Sequence, residues 1–155
     1  MRNIALGFAA VISAALLTAP AFAQKVTAKV TNQFNMEIIE YDNTCLSVEC
    51  PVLPTPIASG ATSEPFTAEP ATDAMSMIQV TYGALSGKTS YACRFRAETA
   101  KAAPEVGGCL EPVAIASVYS GTKVKRKAET PTCRVVDVNL DAATCDLSVT
   151  FEMAK

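Results

Sequence analysis

Histidine and tryptophan are both missing from this 155-residue chain, and aromatic residues make up only 6% of it. Without histidine there is no Ser-His-Asp or Cys-His catalytic arrangement, and no histidine-based zinc or haem site. No Cys-x-x-Cys pair occurs, so zinc-finger and thioredoxin-like spacings are absent too. Charge of either sign is in short supply. Thirteen Lys and Arg stand against fifteen Asp and Glu, which does not furnish the basic face that a nucleic-acid partner requires. After the first residues there is no apolar run near the ~20 residues of a membrane-spanning helix.

The one long apolar run is at the start. Arg2 precedes an almost unbroken stretch from Ile4 to Leu17, and the segment closes on Ala21-Phe22-Ala23, an A-x-A cleavage pattern. Residues 1–23 therefore read as a Sec-type signal peptide, of the compact kind used by diderm bacteria. Residues 24–155 then form a single exported β domain with no transmembrane anchor after cleavage, and the expected location is periplasmic or extracellular. Arg2 is the only charged side chain of the leader, so the remaining 132 residues carry a net charge of −3.

Export changes how six cysteines are read. Cys45, Cys50, Cys93, Cys109, Cys133 and Cys145 all lie past the leader, and an even number in an oxidising compartment implies three disulfides. Six cysteines allow 15 connectivities. Nearest-neighbour pairing, Cys45–Cys50, Cys93–Cys109 and Cys133–Cys145, asks for the least reorganisation and is the expectation.

Alternation with a period of two dominates the rest. Val26, Ala28 and Val30 share a face, and Met36 and Ile38 resume it after a turn at Asn32–Asn35, so the first two strands read as a hairpin ended by Asp42-Asn43. Ile39 and Tyr41 break phase, which indicates a bulge or a change of face. Residues 51–74 carry Pro51, Pro54, Pro56, Pro65 and Pro70 and read as a long surface loop with a short edge strand at 56–61. Ile78, Val80 and Tyr82 pair across a glycine-flanked turn with Tyr91, Cys93, Phe95 and Ala97, leaving Arg94 and Arg96 outward. Glu98–Ala103 reads as one or two helical turns. Val113, Ile115, Ser117 and Tyr119 share a face of a further strand, followed by the Ser120-Gly121 turn and a basic return strand around Val124. Val136, Val138 and Leu140 face inward before a turn at 142–144, and Leu147, Val149, Phe151 and Met153 follow. About eight short strands with almost no helix define an all-β fold, an antiparallel β-sandwich or small barrel stapled by disulfides.

Candidate sites are few. Lys123, Lys125, Arg126 and Lys127 form the sharpest charge cluster. On a strand, Lys123, Lys125 and Lys127 share a face and can grip an anionic surface; the plainer reading is an edge guarded by lysines. Arg94 and Arg96 enlarge that patch if their strand is adjacent. Phe66, in the acidic proline-rich loop, is a candidate recognition residue, against the plainer reading that it tucks onto the core. Asp137, Asn139 and Asp141 open like a calcium loop, but the sixth position is not glycine and the twelfth is Ser148, so no metal site is assigned. No motif places the chain in a known family, and no cofactor is implied. The expectation is a non-enzymatic binding or interaction module, with an unknown protein or an anionic surface as partner. The alternatives are a pilus- or coat-like assembly subunit joined by strand addition and a carboxylate-dependent hydrolase.

Overall fold

The computed structural model describes residues 24–70, 75–103, 105–124 and 129–155. Among these described residues eight strands run in chain order: β1 (Val26–Gln33), β2 (Ile39–Leu46), β3 (Phe66–Ala68), β4 (Met75–Ser86), β5 (Thr89–Ala100), β6 (Val113–Val118), β7 (Thr132–Leu140) and β8 (Leu147–Ala154). They form two four-stranded sheets, β3-β1-β8-β7 and β2-β4-β5-β6. Every pairing is antiparallel except β1 with β8, which is parallel along the whole of both strands.

The alternation seen in the sequence is what joins the two layers. Val26, Ala28 and Val30 of β1 and Leu147, Val149, Phe151 and Met153 of β8 are buried from one sheet; Ile78, Val80 and Tyr82 of β4 and Cys93, Phe95 and Ala97 of β5 are buried from the other. The Phe95 and Phe151 rings stack across the gap with centroids 4.9 Å apart, a separation at which aromatic pairs add to simple burial. The result is a β-sandwich stapled by disulfides. That chemistry in a small all-β protein is consistent with a periplasmic or extracellular location.

Several local expectations are corrected. β1 and β2 are not a hairpin: both neighbours of β1 are already taken, by β3 and β8, and the chain crosses to the other sheet at Phe34–Ile38. Asn32 builds that corner. Its amide donates to Met36 O and Ile57 O, each at 2.9 Å, while its Oδ1 accepts from Phe34 N–H. β2 continues through Asp42-Asn43 to Leu46 because β4 is long enough to pair with it throughout. The expected helical turn at 98–103 is instead the end of β5 followed by a single bridge at Lys101. β5 extends to Ala100, opposite Met75, and its alternation buries Thr99, whose hydroxyl donates to Cys145 O at 2.7 Å. The short strand at 56–61 is reduced to single bridges, Ile38 with Ile57 and Thr31 with Thr62.

The core faces of β6 and β7 also differ from expectation. In β6 it is Ala114 and Ala116 that pack on the core, opposite Ala97 and Phe95, and Ile115 points outward at 50% exposure. In β7 a bulge between Val135 and Asp137 shifts the register and ejects Val136. Val138 lies opposite Val149, on the core side, yet stays 42% exposed because β7 is the rim of its sheet.

Of the disulfides, Cys45–Cys50 forms as expected, whereas the other two are Cys93–Cys133 and Cys109–Cys145. Distance explains the correction. Cys109 bridges Lys101, just past the end of β5 and eight residues from Cys93, roughly 27 Å at strand rise. Cys133 sits opposite Met153 while Cys145 precedes Leu147, so these two lie at opposite ends of their hairpin. Cys93–Cys109 and Cys133–Cys145 are therefore both far beyond the ~7 Å that a disulfide spans. Cys93 instead meets Cys133 across the sandwich with Cα atoms 5.6 Å apart. The loop after β5 meets the turn before β8, placing Cys109 and Cys145 at 5.4 Å.

Candidate functional site

The outer face of sheet β2-β4-β5-β6 carries a groove of about 460 Å³, lined by Tyr41, Leu85, Lys88, Ser90, Ala92, Tyr119, Gly121 and Lys123. Its floor is made of small residues. Gly83 lies beside Ala92 in the β4–β5 register, and a Cβ at Gly83 would strike Tyr41 Cε2 and come within 2.5 Å of Tyr91 O. Tyr41 can lie flat there because β2 carries a bulge between Glu40 and Asp42, and the extra residue is Tyr41 itself. The phase break at Ile39–Tyr41 is the sequence trace of that bulge.

The opposite wall is a loop stitched to the start of β5. Ser90 and Lys123 exchange backbone hydrogen bonds at 3.1 and 2.9 Å, and Thr122 Oγ1 donates to Ala92 O and accepts from Ala92 N–H. The Tyr119–Thr122 turn closes with Thr122 N–H donating to Tyr119 O at 2.9 Å. Arg94 rests over the Tyr119 ring, 4.7 Å from its centroid, a cation–π contact, and its Nε points to Thr81 Oγ1 at 3.4 Å. Lys88 enters from the β4–β5 turn, where Gly87 takes a positive φ of 60° that favours glycine.

The groove thus gathers the side chains of Lys88 and Lys123, with Arg94 stacked behind Tyr119, and no carboxylate is among its described lining residues. Two tyrosine rings and Leu85, which is 66% exposed, supply apolar surface. Such a site attracts an anionic group and offers its body apolar contact.

The sequence-derived candidates divide around this groove. Lys123 lines it and Arg94 braces it. Arg96 is spent elsewhere, since its Nη2 pairs with Glu98 Oε2 at 2.5 Å. Lys125, Arg126 and Lys127 lie outside the described residues, as does the leader, residues 1–23. Phe66 is removed from any recognition surface: it sits in β3, is 4% exposed and belongs to the core. Pro65 immediately precedes that strand, and the alternation turns Phe66 and Ala68 inward, leaving Thr67 outward, its hydroxyl 3.0 Å from that of Thr27. The calcium-like stretch is strand and turn: Asp141 Oδ1 accepts from Ala143 N–H at 2.8 Å, capping the β7–β8 connection. Tyr41, Lys88, Ser90 and Tyr119 were not among the candidates. Only the phase break at Tyr41 and the Ser120-Gly121 turn signal pointed toward them.

One further residue type stands out within the core. Tyr82 is fully buried, and its hydroxyl donates to Pro54 O at 2.8 Å. Burial, and secondarily the Glu40 carboxylate, push its ionisation well above the ordinary tyrosine range. It is a packed phenol, not an acid–base group of the groove.

No family model matches this chain, and no curated protein matches it in sequence.

Proposed function

We propose that the protein is an exported, non-enzymatic binding module, cleaved after Ala23, that holds an anionic group of its partner in the groove between Tyr41 and Tyr119. One observation carries this reading. A chain whose exported part has a net charge of −3 nevertheless brings Lys88 and Lys123 to one concave site with no acid among its described lining residues. Like charges are unfavourable to gather unless something of opposite sign is to be met. In sequence, Lys125, Arg126 and Lys127 follow Lys123 and Val124, and they lie outside the described residues. The two long disulfides and the stacked core hold the floor still, which lowers the ordering cost of binding.

The test is an amide-resolved NMR titration of the isotope-labelled exported chain. The probes are a sulfated oligosaccharide, anionic phospholipid vesicles and an acidic peptide, each used separately. The expected result is perturbation centred on Ser90, Ala92, Tyr119 and Lys123 by one of the three, weakening as salt is raised. The effect should be lost in the Lys88→Glu/Lys123→Glu double variant. Amides that stay unmoved by all three probes would sink the proposal.

A second reading, assembly by strand addition, is favoured by β6. Tyr119 N–H donates to Ala92 O, and antiparallel alternation then turns the backbone groups of Ala114, Ala116 and Val118 away from β5. This rim carries no Lys and no internal Pro, the usual guards of an open edge. Sedimentation should show concentration-dependent oligomers that Ile115→Lys disperses. A wild-type chain that remains monomeric at high concentration would exclude this reading.

A further inference from the structure

Charge is segregated along this chain. Between Lys29 and Lys88 there is no Lys or Arg, against seven acids from Glu37 to Asp73. The loop after β2 carries part of that acid-only stretch to the surface. Cys45 and Cys50, five residues apart, are bridged. Within the bridge the Ser47 hydroxyl is shared between Glu49 O, at 2.8 Å, and Glu69 O, at 2.5 Å. Val48 N–H donates to Glu69 O at 3.1 Å. Held this way, Val48 is 75% and Val52 96% exposed, and Glu49 lies exposed between them. The loop is a fixed tip that sets an anionic group on an apolar body, which is the chemistry the groove takes. It cannot fill the groove of its own molecule. Leu46 lies opposite Met77, and Leu85 of the groove is eight residues further along β4, roughly 27 Å at strand rise. Loop and groove therefore sit at opposite ends of one sheet.

We propose that the groove of one molecule receives the Cys45–Cys50 loop of a second copy of this chain, with Glu49 meeting Lys88 and Lys123 and Val48 meeting the apolar surface of Tyr41 and Leu85. The proposal rests on the groove binding an anionic group. Charge complementarity selects the occupant. Groove set against groove would oppose lysines to lysines, and loop against loop would oppose acids to acids; only groove against loop brings opposite charges together. The two surfaces differ, so the contact is heterologous and repeats head to tail, giving a ring or an open chain according to the rotation at each step. The bridge and the Ser47 and Val48 hydrogen bonds keep the tip formed before contact, which lowers the ordering cost of docking. No backbone edge takes part, so this contact is distinct from strand addition at β6.

The experiment is sedimentation velocity over a concentration series on the oxidised exported chain, with the folding of every variant checked by its amide spectrum. The wild-type chain should grow beyond a monomer as concentration rises, and less so in higher salt. Lys88→Glu/Lys123→Glu and Glu49→Lys should each raise the concentration needed by about tenfold or more. Mixed in equal amounts, these two variants should associate again, because each supplies the surface that the other has lost. Ile115→Lys should associate like the wild type. A wild-type chain that stays monomeric while its groove amides respond to an added anionic probe overturns the inference and leaves the groove reading intact. A monomer whose groove amides respond to no probe overturns both. Association that survives both charge reversals, or that Ile115→Lys disperses, overturns it in favour of another contact. A mixture of the two charge-reversed variants that stays monomeric overturns it too.

Discussion

The two faces of the β4–β5 ribbon share one backbone and meet opposite demands. Inward, Ile78, Val80, Tyr82, Cys93 and Phe95 are buried against the other sheet. Outward, the same strands present Thr81, Gly83, Ala92 and Arg94. There Arg94 lies against Thr81, and Tyr41 lies against Gly83. Strand formation requires only that one face be apolar. The inner face meets that need, so the outer one is free to carry small residues, rings and cations arranged as a site. A substitution inside should therefore act on stability and one outside on the groove, and the sharpness of that division is open to measurement.

The largest expected effect is inside. Phe95→Ala removes the ring stacked on Phe151 and should cost about 3–5 kcal/mol by denaturant unfolding. A cost near 1 kcal/mol would mean that the two sheets close over the gap. Replacing Cys93 and Cys133 together by Ala opens a link spanning 40 residues and should cost roughly 3–4 kcal/mol, with the groove amides unchanged in position.

Gly83→Ala tests whether the outer face is as free as it looks. Its Cβ would strike both Tyr41 Cε2 and the Tyr91 backbone carbonyl. A loss of about 1–3 kcal/mol is expected, together with displacement of Tyr41 and weaker anion binding. Full stability and full binding in Gly83→Ala would show that Tyr41 is not seated on the glycine.

Tyr82 supplies a pH test of the inner face. Its ionisation is raised in the folded state by burial and by Glu40. Above the ordinary tyrosine pKa of about 10, the unfolded chain therefore loses a proton that the folded chain keeps. Stability should be level below that pH and fall by about 1.4 kcal/mol per pH unit above it. Tyr82→Phe should flatten this alkaline decline at some cost in baseline stability, since Pro54 O loses its donor. An unchanged decline would assign it to other groups.

The smallest effect is at Arg94. Arg94→Ala removes the contact with Tyr119 and should cost only about 0.5–1 kcal/mol while weakening anion binding measurably. A large stability loss would make Arg94 part of the scaffold and blur the distinction between the faces.

Parts of this comparison were legible beforehand. The inner faces of β4, β5 and β8 follow from alternation, because which side of a strand a residue takes is a local property with a period of two. The β4–β5 and β7–β8 hairpins were legible because their strands are adjacent in the chain, and so was Cys45–Cys50, five residues apart. β6 and β7 misled because alternation cannot tell a central strand from a rim. At a rim, Val138 can face the core side and still meet water.

By itself, then, the sequence determined that the chain is all-β, that its cysteines are suited to an oxidising compartment, and which residues of its most regular strands are apolar together. The tertiary structure alone decided the parallel β1–β8 pairing, the crossing of the chain between sheets at Asn32, and the Cys93–Cys133 and Cys109–Cys145 bridges. It also decided the meeting of Tyr41, Lys88, Tyr119 and Lys123 around one groove. The physical reason is the same in each case. Alternation and turn chemistry act between neighbours a few residues apart. Partner choice among eight similar strands depends on which closure buries the most apolar surface at once, and that quantity belongs to the whole chain.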